Sequence, residues 1–302
     1  MNLRTTRLLR AASIFSTLIV VVAVLAGCAQ SGAKAATTAP PALATRTFTA
    51  KQQTAALAYW TPSRMSASGK QDMFVTGPLT TVWRGKPVAQ VGRLFFLDEN
   101  GQDEYCTATS VGGKNNEVVL AAAHCAWPPG LPTSDVADTV FVPGYDAGQR
   151  PAGVFAVRAS VVSRDWIDNQ HSDVAAFIVA PSAGKTLAAA VGTEAVSFAG
   201  PYLGAVRTFG YPASKPQNGE QLLTATGRTT TVPGQPDEIQ MPCDMSGGAS
   251  GGPWLAGANP TTGAGTLIAV FNASDPYASK HSCAGAVLGA TAKMIYEHAG
   301  SL

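Results

Sequence analysis

The chain has 302 residues, enough for one large domain or two small ones with real cores. Only 13% of residues are charged, glycine is abundant at 31, and the formal net charge is +2. That balance suits a turn-rich, mostly β exported protein better than a helical cytosolic one, and it lacks the basic footprint of a nucleic-acid binder.

The N-terminus reads as an export signal. Arg4, Arg7 and Arg10 form a basic start, and residues 11–27, "AASIFSTLIVVVAVLAG", are an apolar stretch short for a membrane span. "LAGC", residues 25–28, is similar to a bacterial lipobox, in which the cysteine is lipidated and becomes the mature N-terminus. Residues 1–28 are therefore expected to be a signal peptide, and Cys28 to hold the protein at the cell membrane through a lipid. The alternative is a secreted protein with a plain signal peptide.

Residues 29–85 show no clear apolar period. "SGAKAATTAPPALATRTFTAKQQ" is small, polar and proline-containing, so this segment is expected to be a tether or propeptide of low structure. From Val88 onward, short apolar or alternating runs recur between Gly and Pro punctuation. They include 88–98, 117–123, 138–144, 153–163, 173–180, 194–200, 205–212, 221–232, 265–272 and 284–290. Evenly spaced short strands predict an all-β barrel or sandwich. The last segment, "TAKMIYEHAG", has helical spacing and predicts a closing helix between Gly289 and Gly300.

Five cysteines are an odd number for an exported chain. Setting Cys28 aside for lipid leaves Cys106, Cys125, Cys243 and Cys283, which an oxidising compartment would pair. Three connectivities are possible. Chain order favours Cys106–Cys125 and Cys243–Cys283, since each closes a local loop.

Three segments carry candidate chemistry. "VVLAAAHCAW" ends an apolar strand on His124, "SDVAAF" opens one at Asp173, and "GGASGGP" sets Ser250 among glycines. A serine hydroxyl needs a base to become a nucleophile, usually an imidazole, and the imidazole needs a carboxylate to orient it. A Gly-rich turn can aim backbone N–H groups at a developing oxyanion. Asp165 and Asp168 compete with Asp173, but they sit in a polar turn around Trp166, whereas Asp173 directly precedes a strand. His171, His281 and His298 read as surface residues, and Trp254 as core. No His/Cys group has zinc spacing.

"AAAHC", "SDVAAF" and "GGASGGP", in the order His, Asp, Ser, resemble the chymotrypsin-like (trypsin-fold) serine peptidases, most of all the bacterial extracellular branch. The resemblance spans roughly residues 86–300, and the peptidase domain is expected over 86–302. It implies two antiparallel six-stranded β-barrels with a C-terminal helix and a site in the cleft between them. It implies Ser250 as nucleophile, His124 as general base and then acid, Asp173 as its orienter, and the N–H groups of Gly248 and Ser250 as the oxyanion hole. It implies the same two disulfides, Cys106–Cys125 and Cys243–Cys283. No metal or organic cofactor is expected, the partner is a protein or peptide substrate, and the chain is expected to be a monomer.

Departures from the family pattern are informative. Ala249 stands where the zymogen enzymes have the Asp that pairs with a freshly cut N-terminus, so activation by that ion pair is not expected. Asp244 lies six residues before Ser250, where trypsin has its basic-selecting Asp, yet the shifted cysteine favours a loop residue bonded to backbone. Phe271 and Asn272 lie on the expected wall of the specificity pocket. The glutamate-selecting members carry His near the place of Phe271, which argues against a strictly Glu-specific enzyme. The rival from another class is a catalytically silent trypsin-fold binding module at the cell surface.

Overall fold

The computed structural model describes residues 42–68, 75–131, 134, 136–274 and 281–302. Cys28 and the export signal lie outside the described residues. In chain order the elements begin with β1 (Leu43–Thr47), α1 (Ala50–Tyr59), α2 (Pro62–Ala67) and β2 (Thr81–Val82). The first barrel follows with β3 (Val91–Leu97), β4 (Asp103–Gly112), β5 (Val118–Ala121), β6 (Ala137–Pro143), β7 (Phe155–Ser163), α3 (Arg164–Asn169) and β8 (Ala175–Val179). Then come α4 (Leu187–Val191), β9 (Ala195–Val196), β10 (Ala205–Gly210), β11 (Leu223–Arg228), β12 (Thr230–Val232), β13 (Gln235–Pro242), β14 (Pro253–Ala256), β15 (Thr266–Ser274), β16 (Ser282–Val287) and α5 (Ala290–Ala299).

Strands β7-β6-β3-β4-β5-β8 form an antiparallel barrel that closes through the β7–β8 ladder, with β1 added on the outside of β7. Both faces of β5 and β8 are buried, which explains their unbroken apolar runs. Val119, Ala121 and Phe177 join the barrel interior with Leu94 and Phe141, while Val118, Leu120 and Ile178 join a layer shared with Phe209, Leu255 and Val270 of the second sheet. The period of two thus feeds two cores from each strand.

The second sheet runs β12-β13-β16-β15-β14-β10-β11-β2, with β9 parallel to β15. Its own core holds Met241, Trp254, Ile268 and Phe271. The fold is the expected all-β trypsin-like one, with a specific feature in this half. No ladder joins β11 to β13 among the described residues, because their edges carry the short strands β2 and β12 instead. The gap closes by packing: a Cβ placed on Gly227 of β11 would lie 3.3 Å from Met241 Sδ of β13.

The low structure expected over residues 29–85 does not hold for 43–68. β1 is registered against β7 from Leu43↔Ser163 to Thr47↔Ala159. A capping box between Thr49 and Gln52 starts α1. Ala56, Trp60 and Met65 are buried, and the Trp60 ring lies 5.2 Å from that of Phe95. Two large apolar residues and an alanine at irregular spacing carry too weak a period to be read, yet their burial makes this segment part of the first barrel. Residues 75–82 are also fixed: Val75 bridges to Lys215, and β2 pairs with β11. The closing helix α5 runs from the Gly289 cap to the Gly300 cap, as its spacing predicts. Among the described residues no helix is long and apolar enough to cross a membrane.

Candidate active site

The chain leaves β5 at Ala122 and enters a single 3-10 turn, Ala123–Cys125, that carries His124. The Cys106–Cys125 disulfide fastens this turn to β4, and Cys243–Cys283 fastens β13's end to β16. The cysteines pair as chain order favoured. The sulfurs of Cys106 and Cys125 lie close to the His124 ring, but as a disulfide they offer no thiolate to a metal.

Asp173 precedes β8 and is 4% exposed. Its two carboxylate oxygens divide between two donors on one residue. Oδ1 accepts from the His124 backbone N–H at 2.9 Å, and Oδ2 pairs with His124 Nδ1 at 2.8 Å. The ring is therefore held at both ends of the residue, with Nε2 left as its other nitrogen. Burial disfavours the imidazolium, but the charge of Asp173 and its hydrogen bond outweigh that, so the His124 pKa is raised. Asp165 does not share in this; it pairs with exposed His171 at 3.5 Å. The neighbouring Ser172 N–H donates to Asp237 Oδ2 at 2.7 Å, tying this loop to β13 of the second sheet.

Ser250 is half-buried in the turn before β14. Its carbonyl accepts from the Thr107 N–H of β4 at 2.8 Å. Gly251 N–H donates to Phe271 O, and Phe271 N–H returns to Gly252 O, each at 2.7 Å. The glycines are needed here for close approach. A Cβ on Gly251 would sit 2.4 Å from Thr107 O, and one on Gly252 would sit 2.1 Å from Phe209 O. Gly248 has φ +86°, and its carbonyl accepts from Thr107 Oγ1 at 2.8 Å. Neither the Gly248 N–H nor the Ser250 N–H donates to an acceptor among the described residues.

The three residues singled out for specificity fall in different places. Asp244 is 5% exposed in its side chain, with Oδ2 accepting from Leu79 N–H at 2.7 Å and Oδ1 paired with His281 Nδ1 at 2.6 Å. It is a loop-fastening carboxylate. Phe271 is 1% exposed in the core with Trp254, so its ring is a packing group and only its backbone reaches the Ser250 turn. Asn272 lines a cleft of about 820 Å³ beside His124 that also includes Trp166, His171 and Glu238. Its Nδ2 donates to Glu238 Oε1 at 2.8 Å.

Sequence reasoning missed Tyr105, Thr107 and Arg93. Thr107 stands next to Cys106 in the motif "EYCTATSV", and Arg93 is a lone charge inside the apolar run "VGRLFFL". Both positions were visible signals.

A closed first barrel, a second antiparallel sheet, a hydrogen-bonded His124–Asp173 pair and a serine framed by glycines are the features of the trypsin-like class of peptidase. The chain belongs to the trypsin-like peptidase domain family, whose model matches residues 106–262, just over half its length. Among solved structures it is similar to the protease Anisep from Arthrobacter nicotinovorans, at 29% identity and TM-score 0.66, covering 74% of this chain and 100% of that one. It is also similar to the thermostable serine protease AL20 from an extremophilic microorganism, at 28% identity and TM-score 0.64, covering 71% of this chain and 98% of that one. A Glu endopeptidase shares the fold at 16% identity and TM-score 0.60, over 76% of this chain and 100% of that one. No curated protein matches the chain.

Proposed function

We propose that the protein is an exported serine endopeptidase that works through an acyl-enzyme on Ser250. The observation that carries this reading is the Asp173 carboxylate, which accepts from both the backbone N–H and the ring of His124. That arrangement fixes the imidazole with Nδ1 as donor and leaves Nε2 basic. In the first half-reaction His124 Nε2 takes the Ser250 hydroxyl proton as Oγ attacks the peptide carbonyl. The N–H groups of Gly248 and Ser250 receive the oxyanion, and His124 returns its proton to the departing amine. In the second half-reaction water attacks the ester, its proton passes to His124 and then to Ser250, and the acid product leaves. The likeness to two solved proteases, at 28% and 29% identity, supports peptide bonds as the substrate.

Two disulfides favour an oxidising, extracytoplasmic site. Cys28 then serves as the lipid anchor, and Cys28→Ser is expected to release the protein from membrane fractions. The test of function is digestion of a denatured protein substrate by the purified chain and by Ser250→Ala. New peptide termini with the first and none with the second are expected. Equal cleavage by both would overturn the nucleophile assignment, and no cleavage by either would favour the silent module.

A further inference from the structure

We propose that Tyr105, wedged by the buried Arg93, is a positioning residue that sets the Gly248 peptide for the oxyanion. The inference rests on the serine-peptidase reading above and deepens it.

Arg93 lies on β3 and is 0% exposed. A guanidinium is costly to remove from water and persists in a core only where partners compensate it. Its carbon lies 3.6 Å from the Tyr105 ring centroid, 4.5 Å from that of Phe95 and 4.7 Å from that of Tyr145. Nη2 donates to Ser68 Oγ at 3.0 Å, and Nη1 faces Glu220 Oε1 at 3.5 Å. Glu220 is itself held by the Tyr145 hydroxyl at 3.0 Å. A planar cation stacked this closely holds the Tyr105 ring in one orientation.

That same ring meets two loops of the second sheet. A Cβ on Gly248 would lie 2.6 Å from Tyr105 Cε2 and Oη, and one on Gly219 would lie 2.1 Å from Tyr105 Oη. Both glycines have positive φ, +86° and +71°. The ring packs one side of Gly248, Tyr211 O lies equally close, at 2.6 Å from the same Cβ, and Thr107 Oγ1 holds the Gly248 carbonyl. Without the ring the Gly248 peptide gains room to rotate and to turn its N–H away from the reacting carbon. The oxyanion exists only along the reaction path, so the loss falls on the acylation rate and not on ground-state binding. A residue that only packs would move stability and leave that rate alone.

The test uses p-nitrophenyl acetate, whose acetyl group transfers to Ser250 with release of p-nitrophenolate, followed by stopped flow. The dependence of the burst on ester concentration separates the acylation rate from the binding constant. Tyr105→Phe keeps the ring and is expected to acylate within about twofold of wild type. Tyr105→Met fills similar space without a planar face and is expected to acylate about tenfold slower, short of the roughly hundredfold cost of deleting an oxyanion donor. Its binding constant stays within about twofold. Arg93→Lys keeps the charge but loses the stack, and is expected to slow acylation in the same direction by about threefold. Mass spectrometry of the disulfides and a thermal melt establish that each variant is folded. A folded Tyr105→Met with the wild-type rate, or with its whole loss in the binding constant, overturns the inference alone. If Tyr105→Met does not fold, Arg93→Lys decides on the same terms. A wild type with neither burst nor proteolysis overturns the serine-peptidase reading and this inference with it.

Discussion

The backbone N–H of Thr107 donates to the carbonyl of Ser250 at 2.8 Å, so a strand of the first barrel holds the Ser250 turn of the second sheet. The pleat makes β4 a common support. Tyr105 and Thr107 project to one face, toward Gly248, while Cys106 projects to the other and bonds Cys125 beside His124. Three successive residues thus link the proposed base, nucleophile and oxyanion donors.

Thr107 is fully buried, and its Oγ1 donates to Gly248 O while accepting from Tyr211 N–H at 3.0 Å. Thr107→Val keeps the shape and strands both partners. A loss of about 1–3 kcal/mol in urea unfolding is expected, together with slower labelling by a serine-reactive probe. A variant as stable and as reactive as wild type would remove Thr107 from this role.

The raised pKa of His124 fixes the sign of two pH effects. Only the neutral ring can act as a base, so the acid limb of kcat/KM should lie above the ordinary value of 6.5. The protonated ring is favoured in the fold, so its stabilisation is complete below 6.5 and is lost as pH rises through the folded value. Asp173→Asn removes the charge that raises the pKa. Its acid limb should shift downward and its turnover fall by about 10³–10⁴-fold. An unmoved limb would contradict the pairing as the cause.

Glu194 is 5% exposed and accepts from Gly265 N–H at 2.5 Å. Burial raises its pKa, with the Gly265 bond opposing. Because the folded pKa is the higher one, the fold bears a buried charge at alkaline pH that the unfolded chain does not. Glu194→Gln should therefore raise the melting temperature at pH 8, and the gain should vanish below 4.5, the ordinary value. A gain independent of pH would point to packing instead.

Trp60 is 2% exposed, and its Nε1 donates to Asp138 O of β6. Trp60→Ala should cost about 3–5 kcal/mol in denaturant unfolding. A loss under about 1 kcal/mol would return the upstream segment to the status of a tether.

The strand pattern was legible because β3, β5, β7, β8 and β15 are apolar on one or both faces. β13 was not, since "QPDEIQMP" is half-exposed, polar and bounded by prolines. It is a strand because β16 and the β12 hairpin supply ladders on both edges, a tertiary fact. His124, Asp173 and Ser250 stand out as candidates in the sequence because each sits in a short local motif. Tyr105 does not, because its contact with Gly248 joins the first barrel to the second sheet. Asp244 was legible as a turn residue, but Leu79 and His281 as its partners were not.

Labelling with a fluorophosphonate tests most directly whether Ser250 is an activated nucleophile. The probe phosphonylates a serine only where a base and an oxyanion site are assembled together. One adduct per chain is expected, mapped by peptide mass to Ser250 and absent from Ser250→Ala and His124→Ala. A folded, disulfide-bonded wild type that takes no label, or takes it at another residue, would contradict an activated Ser250.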